Sequence, residues 1–141
     1  MSAAVPVAVR RAAGLVALQG AVAGLAALVF LIRRLGGADR QIVDGFVNAA
    51  SFGLFAAVLL AAAWALWTGR RWARGIAIFA QMLLLPVSWY VGVGSHQWIY
   101  AVPAALLSVA ILALLFSRSA IQWWTSSAER ASADSSGPDT R

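Results

Sequence analysis

The chain has 141 residues, 62% hydrophobic and 11% charged, a balance that excludes an ordinary soluble domain and fits one small polytopic membrane protein. Cysteine is absent, which removes disulfides, thiol catalysis and thiolate metal sites, and the single histidine cannot build a metal site alone. All eleven basic residues are arginine, against five acidic residues for a net charge of +6, and the arginines sit at the ends of apolar runs rather than along one soluble face, so they read as topology signals and not as a nucleic-acid surface.

Arg10 and Arg11 precede an apolar stretch that contains Ala21-Val22-Ala23, an A-x-A-like cleavage site. The stretch continues through Leu25 to Ile32, well past the roughly 7 to 15 apolar residues of a secretory leader, so it reads as an uncleaved first span over about 12–32. It stops at Arg33-Arg34 and Gly36-Gly37. A polar loop with Asp39, Arg40, Gln41 and Asp44 follows, and Asp44 is placed to cap a second span over about 45–67. The basic turn Thr68-Gly69-Arg70-Arg71-Trp72-Ala73-Arg74 comes next, with Gly69 supplying backbone freedom after the helix end.

From Gly75 to Ser117 the chain runs 43 residues without one Asp, Glu, Lys or Arg. As one straight helix that run would be about 64 Å long, twice the hydrocarbon thickness of a bilayer, so it must fold back. The best break is Gly92-Val93-Gly94-Ser95-His96-Gln97, which gives spans over about 75–93 and 98–116. The expected fold class is all-α: a polytopic membrane four-helix bundle. Ser117 to Thr125 carries Arg118 and the pair Trp123-Trp124, a combination that favours an interfacial anchor in the headgroup layer. Ser126 to Arg141 has no large apolar residue and is expected to form a disordered C-terminal tail.

Four spans place both termini and the second connection on one side. That side holds Arg10, Arg11, Arg70, Arg71, Arg74, Arg118, Arg130 and Arg141, against Arg33, Arg34 and Arg40 on the other, so both termini are expected to be cytoplasmic in a multi-pass protein of the plasma (inner) membrane. Aromatic belts agree with four spans: Trp64, Trp67, Trp72, Trp123 and Trp124 gather at the inner boundary, and Phe46, Trp89, Tyr90, Trp98 and Tyr100 towards the outer one.

Helices in lipid gain little from hydrophobic contact with one another, so small residues mark their packing faces. Ala13, Ala17, Gly20, Gly24 and Ala27 form such a seam in the first span, Gly53, Ala57 and Ala61 in the second, and Ala101, Ala105 and Ser108 in the fourth. Two uses fit the Gly20/Gly24 element: packing inside one bundle, or a face for a homodimer or a larger membrane complex. The polar residues within spans are Gln19, Asn48, Ser51, Gln81, Ser88 and Ser108. Gln19 and Gln81 lie at matching depths of about 10 Å from the inner side and are within reach of a hydrogen bond, and Ser51 and Ser88 match from the outer side. Arg74, Gln81 and Ser88 recur at steps of seven and form a seam expected to face the bundle interior, either as structural glue or as the lining of a solute path. Pro86 removes a backbone donor and frees the Met82 carbonyl, which predicts a bend in the third span. Pro103 lies in the first turns of the fourth, where it costs little.

No Asp, Glu, Lys or Arg lies within the hydrocarbon portion of any span, whereas proton-coupled carriers depend on such a group. His96 reads as a turn residue, and capping and solvation explain Asp39, Arg40 and Asp44. No catalytic, cofactor-binding or metal-ligating residue is assigned, and no cofactor is expected.

The basic turn Gly69 to Gly75, followed by Gln81-Met82-Leu83-Leu84-Leu85-Pro86-Val87-Ser88-Trp89-Tyr90, resembles the uncharacterised small four-span integral membrane proteins of actinobacteria. The similarity covers most of Arg10 to Phe116 and implies a plasma-membrane protein; it transfers no sites. Two functional classes stand. The leading one is a non-catalytic accessory or scaffold protein embedded in the lipid bilayer. The alternative is a small facilitator or exporter of a neutral or lipophilic molecule, acting as a dimer, with Gln19, Gln81, Ser88 and the Pro86 break along its path.

Overall fold

A computed structural model describes residues 5–37 and 42–137. Five helices follow one another: α1 (Val7–Leu35), α2 (Ile42–Trp67), α3 (Arg71–Ser95), α4 (Trp98–Leu115) and α5 (Arg118–Ser135). The first four are each long and apolar enough to cross a membrane, so the chain is a multi-pass membrane protein. Asp39 and Arg40 lie outside the described residues. Asp44 falls inside the first turn of α2 rather than before it, because the helix already begins at Ile42.

The turns are set by local chemistry. α1 ends at two glycines: the Gly36 N–H donates to the Ile32 carbonyl at 2.9 Å, and Gly37 takes a left-handed φ of 72°. α2 ends in a Schellman motif, with Gly69 N–H on Leu66 O (3.1 Å), Arg70 N–H on Ala65 O (2.8 Å), and Gly69 at φ 74°. A side chain at Gly69 would also meet Trp123 and Val5, each 3.1 Å from the Cβ it lacks.

The turn between α3 and α4 is shorter than Gly92–Gln97. Only His96 and Gln97 lie outside the helices, and His96 makes the reversal at φ 53°. Gly92 has a different task. It is buried under the Trp98 indole, whose ring atoms would stand 2.8 Å and 2.9 Å from a Cβ there. The glycine therefore lets the two helices close on each other next to the turn. Pro86 stays within α3, on an exposed face, and the helix continues through it to Ser95.

α1 and α2 pack as one antiparallel hairpin and α3 and α4 as another; the hairpins join through α2 against α3 and α1 against α4. α1 and α3 thus stand diagonally across the bundle. Within the first hairpin the small-residue seam of α1 behaves as expected: a Cβ on Gly20 would meet Leu60 at 2.9 Å, one on Gly24 would lie 3.7 Å from the Ala56 Cβ, and one on Gly53 would lie 3.9 Å from that of Ala27. Further along, Phe30 stacks on Phe52 with centroids 5.5 Å apart. The Gly20/Gly24 face is therefore occupied inside the chain.

The stripe expected on α2 needs correction. Ala57 and Ala61 are exposed, and the buried face runs instead through Ala56, Leu59, Ala63 and Leu66. Strict steps of four advance about 40° round a helix each time, whereas steps alternating between three and four stay on one face. Small size alone did not fix the face.

The core lies in the half of the bundle that carries Arg10, Arg70, Arg71 and Arg74. α1 contributes Val9, Ala12 and Val16, α2 Leu59 and Leu66, α3 Ala73, Ala77 and Ala80, and α4 Ile111 and Leu115. α5 closes this end, burying Ala120 and Trp124 against the core. The Trp123-Trp124 pair is turned towards the bundle, with Trp124 buried and Trp123 over Gly69. One expectation changes here. Residues 126–135, expected to be disordered, are helical; Pro138 to Arg141 lie outside the described residues. The Ser117 hydroxyl caps α5 by accepting from Ala120 N–H at 3.4 Å, and the docked Trp124 fixes the first turns. Once that costly nucleus exists, propagation through the alanines of 128–133 adds one hydrogen bond per residue, and the serines donate to carbonyls one turn back, as Ser127 does to Trp123 O at 2.7 Å.

Candidate functional site

The polar centre of the bundle is built on α1 and α3. Seven residues, about 10 Å along a helix, separate Gln81 from Arg74, so Gln81 reaches well into the apolar layer. It is fully buried, and Gln19 is half-buried. Their amides face each other across the diagonal: Gln81 Nε2 donates to Gln19 Oε1 at 2.8 Å, and Gln19 Nε2 donates to Gln81 Oε1 at 3.3 Å. Each amide thereby satisfies the other, which matters in a medium where neither could turn to water. One N–H and one lone pair remain on each.

Ser108 on α4 and Ser88 on α3 are also buried, as the sequence pattern of a polar seam implied. The Ser108 Oγ has no hydrogen-bond partner. Ser51 does not belong to this centre. It is exposed on α2, as is Asn48, because the buried face of that helix follows Ala56, Leu59 and Ala63 and turns both polar side chains outward.

Arg74, one turn into α3 at the basic end, completes the seam differently from a hydrogen-bonded chain. Its guanidinium lies 5.5 Å from the Phe116 ring and 5.9 Å from the Trp124 ring, so it is held by aromatic faces at the C-cap of α4 and on α5. Its Nε and the Trp124 Nε1 are buried without hydrogen-bond partners. Three other arginines use the same device: Arg10 stands 4.7 Å from the Trp67 ring, Arg70 4.9 Å from Trp64, and Arg34 5.1 Å from Phe46 at the opposite end. The sequence places all of these aromatic residues except Phe116 in belts but does not pair them with arginines, since each contact except Arg70–Trp64 brings together separate helices or helix ends. The docking of α5 is a tertiary feature whose only sequence signal is Ser117 followed by a tryptophan pair six and seven residues on.

Among the described residues no group of three or more His, Cys, Asp or Glu could hold a metal ion. The chemistry available at the centre is hydrogen bonding by neutral amides and hydroxyls. Comparison with protein-family models, with curated proteins and with solved structures gives no match. The functional reading therefore rests on the residues themselves.

Proposed function

We propose that this chain is a non-catalytic accessory or scaffold protein of the plasma membrane, with both termini and the basic turn on the cytoplasmic side. The observation that carries this reading is the reciprocal Gln19–Gln81 pair, which uses the deepest polar groups of α1 and α3 to fasten diagonal helices. Amides already engaged with each other offer a passing solute only the one N–H and one lone pair left on each. Support also comes from connections as short as His96-Gln97, which leave no room between α3 and α4 for a soluble catalytic unit. The arginine bias of eight to three supports the orientation. An accessory role predicts that purification through an affinity tag in mild detergent recovers a larger membrane protein in fixed stoichiometry. Recovery of the chain alone, together with solute flux after reconstitution, would refute it.

One observation favours the second reading, a facilitator of a neutral or lipophilic molecule. The buried Ser108 hydroxyl has no partner in the bundle, and a transient polar ligand would supply one. A dimer in that scheme would have to use a surface other than the Gly20/Gly24 face, which α2 already covers.

A further inference from the structure

On the outer face of the first hairpin an open groove of about 280 Å³ runs between α1 and α2, lined by Ala13, Gly14, Ala17, Leu60, Trp64 and Trp67 together with Ala63. Its floor is low because the α1 wall carries only alanine and glycine: a Cβ on Gly14 would meet nothing within 4 Å. The Trp64 and Trp67 rings, both more than half exposed, form the wall nearest the basic end. Arg70 and Arg10 stand at that end on these same two rings, at 4.9 Å and 4.7 Å. Arg10, Ala13, Gly14 and Ala17 recur at helical spacing on α1, so the cation and the groove share one face.

A guanidinium stacked on a ring engages through its flat face, while its N–H groups lie in its plane and point outward from the edge. Both arginines are exposed and neither forms an ion pair among the described residues. The groove itself offers only hydrocarbon and indole. A ligand matching both parts has an acidic head and an apolar tail. At a membrane boundary that describes an anionic phospholipid, because a zwitterionic one would bring its own cation to the two arginines.

We propose that the α1–α2 groove is a binding site for an anionic phospholipid, with its phosphate on Arg10 and Arg70 and one acyl chain along Gly14 between Trp64 and Leu60. This inference rests on the membrane-spanning fold and not on the accessory role, so either can fail alone. The test is native mass spectrometry of the full chain released from micelles titrated with phosphatidylglycerol or phosphatidylcholine of the same acyl chains. We expect preferential retention of phosphatidylglycerol, weakened about tenfold or more in R10Q/R70Q, since each basic residue contributes on the order of a factor of five. The R11Q/R71Q variant loses the same charge from neighbouring positions that do not stand on the groove's rings, and should weaken retention several-fold less than R10Q/R70Q. Gly14→Leu fills the groove without touching charge and should also weaken retention, and Gly14→Ala is the milder companion if Leu impairs folding. Equal loss in the two arginine variants, equal retention of the two lipids, or unchanged binding with the groove filled would each overturn the proposal.

Discussion

Gln19 and Gln81 donate to each other at 3.3 Å and 2.8 Å, a reciprocal pair between two helices that stand diagonally in the bundle. Removing one partner strands the other, and the two are not equally placed, because Gln81 is fully buried while Gln19 is half-buried. Gln19→Leu should therefore cost the most, about 1–2 kcal/mol, by leaving a buried amide alone. Gln81→Leu should cost less, and the double variant least of the three. Unfolding in mixed micelles, read as a double-mutant cycle, checks this order. Additive losses would mean that the two amides do not meet.

The native chain has no cysteine, so introduced pairs report without background. A side-chain carbon at position 53 would lie 3.9 Å from the Cβ of Ala27, within the range of a disulfide. A27C/G53C should oxidise within one chain in native membranes and migrate as a monomer on a non-reducing gel. A disulfide-linked dimer as the main product would place this face between chains instead.

Gly92 and Gly75 make a matched contrast on α3. A Cβ at Gly92 would stand 2.8 Å from the Trp98 ring and 3.2 Å from the Ala101 Cβ, while one at Gly75 meets nothing within 4 Å. Gly92→Ala should destabilise by about 1–3 kcal/mol and disturb the edge-on packing of Trp89 against Trp98, visible in near-UV circular dichroism. Gly75→Ala should be neutral or stabilise by up to about 1 kcal/mol, since it only removes backbone freedom. Thermal unfolding of both variants in one detergent separates them.

α5 is held by Ala120 and Trp124 over its first two turns and is exposed from Ala128 onward. Trp124→Ala removes the larger anchor and the ring beside Arg74. Hydrogen exchange should then accelerate across 118–135 while the spans keep their protection, whereas Ser132→Ala should leave the profile unchanged. Unaltered protection of α5 in Trp124→Ala would show that the helix is held by something other than this contact.

The sequence made the spans legible because apolar length and charge placement answer directly to the bilayer. The Gln19–Gln81 bond was legible for the same reason: depth along a helix can be counted from its ends. What failed were questions of rotation and of tertiary pairing. Ala57 and Ser51 were placed on an inward face by size and depth alone, yet the angle of α2 is set by Leu59 and Leu66, whose packing a single sequence does not display. Gly92 looked like part of a turn because glycine serves both turns and close helix approach. α5 is not legible in the sequence because its stability comes from Trp124 meeting a core assembled by the other four helices. The groove and its arginine–tryptophan pairs were hidden for a similar reason, since Arg10 and Trp67 come together only after α1 and α2 close.

The most direct test of a bundle fastened through its centre is passive release of neutral solutes from vesicles reconstituted with the purified chain. We expect release rates indistinguishable from protein-free vesicles, for the parent and for Q19L/Q81L alike, because the amide pair joins helices rather than lining a path. Protein-dependent release that disappears in Q19L/Q81L while helix content and monodispersity are retained would contradict this and assign the centre to transport.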